Sequence, residues 1–287
     1  MILEDEDKII LERLQSEDSM MNSIVKSSSL RVLSLGAGVQ STTLALMIEH
    51  GEVPMVDCGI FADTQNEPQK VMEHLDWLEK KLSYPIYRVT AGDLKKDILN
   101  GWSYVPFHLI DSNGKKGINK RQCTFNYKIK PINKKVRELL GYKKGERVKK
   151  NTKVEMVMGI SYDEMIRMKR NPLKYIQNVY PLVDKDMRRH HCLQWMEKNN
   201  YPKPFRSACW FCPYHSNKEW RNLKENHPRE WQEAIKLDKE IREKNIGLRD
   251  TPYLHKDRVP LNEADLDPNK DQQDLFNDIC DEGMCGV

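Results

Sequence analysis

The 287-residue chain has no apolar run approaching the length of a membrane span, and 31% of its residues are charged. A membrane-crossing helix needs about 20 consecutive apolar residues, so a soluble protein is expected. A basic, then apolar, leader is also missing: Met1 to Met20 is rich in Glu and Asp instead. No secretory signal is visible, and this stretch reads as an exposed acidic helix, with Ser27-Ser28-Ser29 as a linker to the apolar run that begins at Leu30. There is no internal repeat and no low-complexity tract, which removes solenoid and fibrous architectures. Net charge is only +4, too little to force a partner by itself. The seven cysteines lie at irregular spacings. In a chain without an export signal they argue against a disulfide framework and for a reducing compartment, the cytoplasm.

Two familiar phosphate-binding patterns are absent as well. There is no G-x-G-x-x-G, and no Lys comes after the first glycines as the Walker loop requires. What is present is a different glycine turn, Gly36-Ala37-Gly38-Val39-Gln40-Ser41. The apolar run Leu30 to Leu35 before it reads as a buried parallel strand, and Thr42 to Ile48 after it as an amphipathic helix. Unpaired N–H groups and the positive end of the dipole at such a helix start suit a phosphate. A turn serving only strand-to-helix geometry would look similar.

This turn resembles the PP-loop of the adenine nucleotide α-hydrolase superfamily, usually written S-G-G-x-D-S. Aligned on Ser41, Gly36 stands for the first Ser, Ala37 and Gly38 for the glycine pair, and Gln40 for the Asp. The G-[IV]-Q core, Gly38-Val39-Gln40, is similar to the phosphoadenosine phosphosulfate reductase-like branch. Further segments resemble that branch. Asp63-Thr64, after the apolar strand Gly59 to Ala62, looks like its D-T-G element with Gln65 in place of Gly; a helix cap by Asp63 or Thr64, with Glu67 in the first turn, is expected alongside it. Arg121 to Ile132 looks like its C-C-x-x-x-K-x-x-P-L segment, with Cys123 on the first cysteine, Thr124 on the second, and Lys128 on the lysine. Met158 to Glu164 with Arg167 and Arg170 resembles G-[IV]-R-x-x-E-S-x-x-R, with Ser161 where an Arg is usual. Lys128, Arg167 and Arg170 are candidate anion ligands or solvated cations.

The resemblance, spanning about residues 30 to 215, implies an open, mostly parallel α/β sheet with flanking helices. The N-terminal extension would cover 1–29, the nucleotide-binding domain with its cysteine cluster 30–247, and a C-terminal arm and tail 248–287. An adenine nucleotide (ATP, PAPS or APS) would lie with its phosphates on Gly36, Ala37, Gly38, Val39, Gln40, Ser41 and Thr42, bordered by Asp63 and Thr64. Lys128, Arg167 and Arg170 would neutralise its charge, with the cysteine cluster near the phosphates.

The cysteines divide into groups. Cys209-Trp210-Phe211-Cys212-Pro213 is a C-x-x-C whose thiolates can converge on one metal. With Cys123 and Cys192 it makes a four-thiolate candidate for a [4Fe–4S] cluster or zinc; Cys192 is dispensable to a three-cysteine cluster. One close pair and two distant singles suit a cluster more than a zinc ribbon, which normally has two close pairs. Cys58, in a strand context, reads as inert core. The tail Cys280 to Val287 carries Cys285-Gly286, which resembles the nucleophilic E-C-G motif of the reductases with Met284 in place of Glu. A tail with an incidental thiol fits too.

Between Lys115 and Lys153 only Glu138 and Glu146 are acidic among many Lys and Arg. The stretch can hold a nucleic-acid backbone, bind a small anion, or be a solvated helix face and loop. From Asn217 to Lys244, two amphipathic helices with core tryptophans are expected, then an extended surface arm over Thr251 to His255 and Val259 to Leu261. Three functions are compatible with all of this. One is a sulfonucleotide-reductase-like enzyme with Cys285 as nucleophile and a thiol reductant as partner. Another is an ATP-dependent sulfurtransferase that adenylates tRNA or DNA, with the cluster or a cysteine delivering sulfur and a sulfur-donor protein as partner. The last is a nucleotide sensor without turnover.

Overall fold

The computed structural model describes residues 29–244 and 246–268. They fall into two compact units, each built from three separate stretches: 29–61, 76–89 and 132–204 in the first, and 62–75, 90–131 and 205–268 in the second. The expected N-terminal helix and the tail with Cys280 and Cys285 lie outside the described residues.

The first unit is organised by a five-stranded parallel sheet. Its strands are β1 (Ser29–Leu35), β2 (Cys58–Asp63), β3 (Ile86–Thr90), β6 (Lys153–Met158) and β7 (Ile176–Val179), in the order β3-β2-β1-β6-β7. Val32 sits in register with Cys58 on one side and Met156 on the other. The run Val32, Leu33, Leu35 is buried because both faces of a parallel sheet are covered, so the strand reads as continuously apolar rather than alternating. Chain order runs outward from β1 through β2 to β3, then resumes at β6 beside β1. The loops after β1 and β6 therefore leave the same edge of the sheet at its topological switch point, where ligands of open α/β sheets bind.

The helix α1 (Val39–Glu49) comes after β1, and every residue from Val39 to Ile48 is buried. The amphipathic pattern expected from the sequence is not what forms. One side of α1 lies on β1 and another is covered by α6 (Arg189–Lys198), so no face is left for water. Helix α6 carries the buried Cys192 in its first turn. Just before it, the single turn α5 (Pro181–Asp184) opens on a proline, whose missing N–H costs nothing at a first helical position. Cys58 is fully buried at the start of β2, and burial pushes its thiol up to about 12. It is the inert core cysteine that its strand context implies.

The second unit carries a small antiparallel sheet, β4 (His108–Ile110) between β5 (Lys116–Ile118) and β8 (Thr251–Tyr253). Its core gathers Phe107, Phe211, Trp220, Trp231, Leu237 and Ile241. The short helix α3 (Leu94–Leu99) adds Leu94 and Ile98 to that core and is capped by Asp93, which accepts the Lys96 N–H at 3.2 Å. The expected helix pair is there as α7 (Asn217–Asn226) and α8 (Pro228–Glu243), and Trp220 and Trp231 are core residues. Ser216 caps α7 by accepting the Glu219 N–H while Glu219 accepts the Ser216 N–H.

The segment after α8 corrects the expectation of a surface arm. Thr251 to Tyr253 is extended, but it pairs with β4, and Leu254, His255 and Leu261 are fully buried. The reason is Asp238, itself buried on α8. Its carboxylate accepts the N–H of Leu254 at 3.0 Å and of Leu261 at 2.9 Å, and it pairs with Arg242 one turn on. A buried carboxylate needs such partners, and these fold the segment inward. Among the described residues, no helix is long and apolar enough to cross a membrane.

Candidate functional site

In the first unit the site is built on the turn between β1 and α1. Ala37 has φ +56°, the left-handed conformation that L-residues seldom adopt, and Gln65 has φ +60°. Both loops thus take a glycine-type backbone without a glycine at that position. Gly38 is extended (φ −93°, ψ −178°) and caps α1. Its N–H donates to the Ser41 hydroxyl at 3.2 Å, and its carbonyl accepts the Thr42 N–H at 2.9 Å. The N–H groups of Val39, Gln40 and Ser41 have no acceptor within the helix. They form the dipole's positive end at the switch point of the sheet.

The loop after β6 closes against this turn. A Cβ on Gly159 would stand 2.7 Å from the Ser41 Cα and 2.9 Å from the Ser41 backbone nitrogen, so only glycine allows the two loops to meet. Ser161 comes next in this loop, fully buried, and its hydroxyl accepts from Gln40 Nε2 at 3.4 Å. The other end of the Gln40 amide accepts from the Arg189 guanidinium at 3.0 Å. Sequence reasoning does not single out Arg189. It lies 149 positions from Gln40, and no local pattern marks it.

The other candidates of this unit separate. Arg167 pairs with Glu164 at 2.7 Å, and burial raises the Glu164 carboxyl above its ordinary value while the Arg167 charge opposes this. Arg170 is exposed. Cys192 is buried on α6, and burial pushes its thiol up to about 12. The basic residues from Lys143 to Lys153 fall mainly in an irregular, largely exposed stretch after α4 (Lys130–Leu139).

In the second unit, Asp63 and Thr64 organise their own loop rather than a helix cap. Asp63 accepts the Gln65 N–H at 2.6 Å and Thr64 Oγ1 the Asn66 N–H at 3.3 Å, whereas the next helix, α2 (Gln69–Glu79), starts later. Glu67 is accordingly not a first-turn residue. Its side chain is fully buried and pairs with Lys128 Nζ at 3.1 Å. Lys128 sits in a widened turn, Phe125–Ile129, immediately before α4. Pro131 lacks the N–H that would reach the Tyr127 carbonyl, which favours such a break in the helical ladder, and turns of this kind recur at functional sites.

Cys123, Cys209 and Cys212 line one open cavity, together with Thr64, Lys128 and Arg121. The C-x-x-C closes as a tight turn, the Cys212 N–H donating to the Cys209 carbonyl at 2.9 Å. Two bonds hold that turn: Trp210 N–H to the Asn66 carbonyl at 3.1 Å, and His108 Nε2 to the Pro213 carbonyl at 3.0 Å. Burial lowers the pKa of His108, in keeping with a neutral ring that donates. Thr64 Oγ1 lies 3.2 Å from Cys209 Sγ. Among the described residues, no three His, Cys, Asp or Glu side chains stand ready-made around a metal ion. The donor set is nonetheless the right kind for a thiolate-held centre: three thiols from two chain segments lining a single cavity.

No protein-family model matches the chain. No curated protein matches it either. Among solved structures it is similar to the phosphoadenylyl-sulfate (PAPS) reductase of Candida auris, solved as a phosphate complex, with 13% identity, a TM-score of 0.39, and 71% of this chain and 91% of that chain covered.

Proposed function

We propose that the chain is a phosphoadenosine phosphosulfate reductase-like PP-loop enzyme that binds the phosphates of an adenine nucleotide and carries out thiol or sulfur chemistry. The observation that carries this reading is the turn Gly36 to Thr42. It opens a buried helix at the switch point of a parallel sheet, keeps a left-handed residue at Ala37, and is closed upon by Gly159. Asp63, Thr64 and Lys128 belong to the second unit and supply polar and cationic groups there; Lys128 is tied to Glu67.

Cys123, Cys209 and Cys212 would hold a [4Fe–4S] cluster, with zinc the alternative. A cluster held by three cysteines would leave one iron open to a further ligand. Thr64 and the Glu67–Lys128 pair support this region with polar contacts, as outer partners of metal ligands commonly do.

In the reductase reading, the thiolate of Cys285 attacks the sulfur of a nucleotide-bound sulfate, an S–S bond forming as the S–O bond to the nucleotide phosphate breaks and the nucleotide leaves; two thiols of a reductant then free sulfite and restore Cys285, ending as a disulfide. A second reading is favoured by the three thiols collected in one cavity without need of the tail: an ATP-dependent sulfurtransferase that adenylates tRNA or DNA with loss of pyrophosphate, after which the outer sulfur of a cysteine persulfide, charged by a sulfur-donor protein, displaces AMP. The exposed basic stretch after α4 suits that substrate. Incubation of the anaerobic protein with PAPS or APS, and separately with ATP and nucleic acid, tests both. Sulfite released by wild type and lost in Cys285→Ser supports the reductase; AMP formed only with nucleic acid supports the sulfurtransferase. Binding of a nucleotide with neither product would leave a sensor.

A further inference from the structure

Within the first unit, the segment that follows β6 exposes Tyr162, Met165, Ile166 and Met168, and Ile166 is 87% exposed. A cluster of large apolar side chains in water, unlike a scattered one, marks an interaction site. The same segment is basic. From Tyr162 to Lys174 the only acids are Asp163 and Glu164, and both are occupied: Asp163 accepts the Arg189 N–H, and Glu164 pairs with Arg167. Lys169, Arg170 and Lys174 are exposed, and among the described residues no carboxylate pairs with them. Side chains at the end of β7 hold the segment in place. The Tyr180 hydroxyl accepts the Lys169 N–H at 3.1 Å and donates to the Lys169 carbonyl at 2.8 Å, while Asn178 Nδ2 donates to that carbonyl at 2.9 Å and Asn171 Nδ2 to Asn178 Oδ1 at 3.3 Å. The chain thus runs back along β7, the edge strand of the sheet, and turns into it where the Ile176 N–H donates to the Leu173 carbonyl at 2.9 Å. There Lys174 comes level with the exposed Lys153, since Val154 is in register with Ile176 and donates its N–H to the Tyr175 carbonyl at 2.8 Å. Cations therefore follow one edge of the sheet, Lys169 and Arg170 at one end of β7 and Lys174 and Lys153 at the other, about 13 Å apart at 3.3 Å per residue. A line of charge fits a linear polyanion better than a flat membrane surface or a compact protein.

We infer that the β7 edge is a docking surface for an unpaired strand of RNA, with Lys153, Lys174, Arg170 and Lys169 on its phosphates and Met165, Ile166 and Met168 against its bases. Bases without a partner strand offer apolar faces, and RNA displays them in loops and bulges, whereas duplex DNA keeps them stacked. Tyr162 is covered by Arg188, whose guanidinium lies 5.3 Å from the ring centroid and adds a cation at the apolar end. That end belongs to the loop that begins at Gly159, against Ser41, so a strand on this track brings a base towards the Gly36–Thr42 turn. The inference rests on the sulfurtransferase reading and narrows its substrate to RNA presented as a single strand.

Fluorescence anisotropy with a labelled RNA hairpin tests it, beside the same stem without its loop, a single-stranded DNA and vesicles of anionic lipid. Wild type is expected to bind the hairpin most tightly, with affinity falling as salt rises. Lys169→Gln, Arg170→Gln and Lys174→Gln should each lessen the slope of log affinity against log salt by about 0.7 and weaken binding about fivefold at 0.1 M salt. Ile166→Ser should weaken the hairpin severalfold with the slope unchanged, since it removes a base contact and no charge. Lys80→Gln, exposed ahead of β3 at the opposite edge of the sheet, should change neither quantity. Wild-type affinity and slope in the combined Lys169→Gln, Arg170→Gln, Lys174→Gln variant, with its melting temperature preserved, overturn the docking surface. Equal binding of the loopless stem, or tighter binding of DNA or vesicles, overturns the choice of an unpaired RNA strand. Hairpin binding that depends on these residues, with no AMP formed from ATP, upholds the docking surface and removes the sulfurtransferase reading.

Discussion

Gly159 lies so close to Ser41 that a single methyl group between them would meet the Ser41 Cα at 2.7 Å. The obstacle is backbone, anchored in the first turn of α1, so it cannot swing aside as a flexible side chain would. Gly159→Ala should push the loop after β6 away from the phosphate turn. Destabilisation of about 1–3 kcal/mol is expected, the usual cost of overpacking a tight contact. Urea denaturation measures it, and a wild-type midpoint would show that the loops do not meet as described.

Gly38 is different, because its extended backbone is one that a β-branched residue adopts readily. Gly38→Val should therefore leave the fold in place while its side chain fills the approach to the α1 N–H groups. Loss of ATP binding with unchanged circular dichroism is the expected pair of results. Unchanged affinity would move the phosphate site elsewhere.

The cysteines should divide by their surroundings. Cys209→Ser and Cys212→Ser, in the cavity, are expected to lose bound metal and lower stability, since each forfeits a ligand. Cys58→Ala, fully buried in β2, should retain it. Metal analysis and the visible absorbance of anaerobically purified variants decide the matter. Full occupancy in both cavity variants would remove the cluster assignment.

Stability should fall at both ends of the pH scale for identifiable reasons. Burial pushes the Cys58 and Cys192 thiols up from 9.0 to about 12, so the unfolded chain releases these protons first. Their contribution is complete below pH 9.0 and is lost as pH rises towards 12. Burial lowers His74 from 6.5 to about 4, so its contribution is complete above pH 6.5 and is lost as pH falls towards 4. Urea midpoints across this range should trace both limbs. Cys58→Ala should show a shallower alkaline limb, and an identical limb would mean that Cys58 is not buried as a neutral thiol.

Much of this organisation is local and is legible in the amino-acid sequence. The apolar run Leu30 to Leu35, the glycine turn and the helix after it form where the pattern places them, as do the two tryptophan-bearing helices α7 and α8. Periodicity and turn chemistry act over a few residues, so a strand, a turn or a C-x-x-C can be recognised without its neighbours. Partner choice is another matter. That Gly159 meets Ser41 and Arg189 meets Gln40 is a consequence of the strand order, which sets β6 beside β1, and of the cover that α6 places on α1. That cover also turns an apparently amphipathic helix into one buried all round. Glu67 has the look of a first-turn acid until its pairing with Lys128, and Thr251 to His255 that of a surface arm until Asp238 draws the chain inward. Each depends on a buried charge finding a partner far along the chain, a condition that the tertiary fold alone decides.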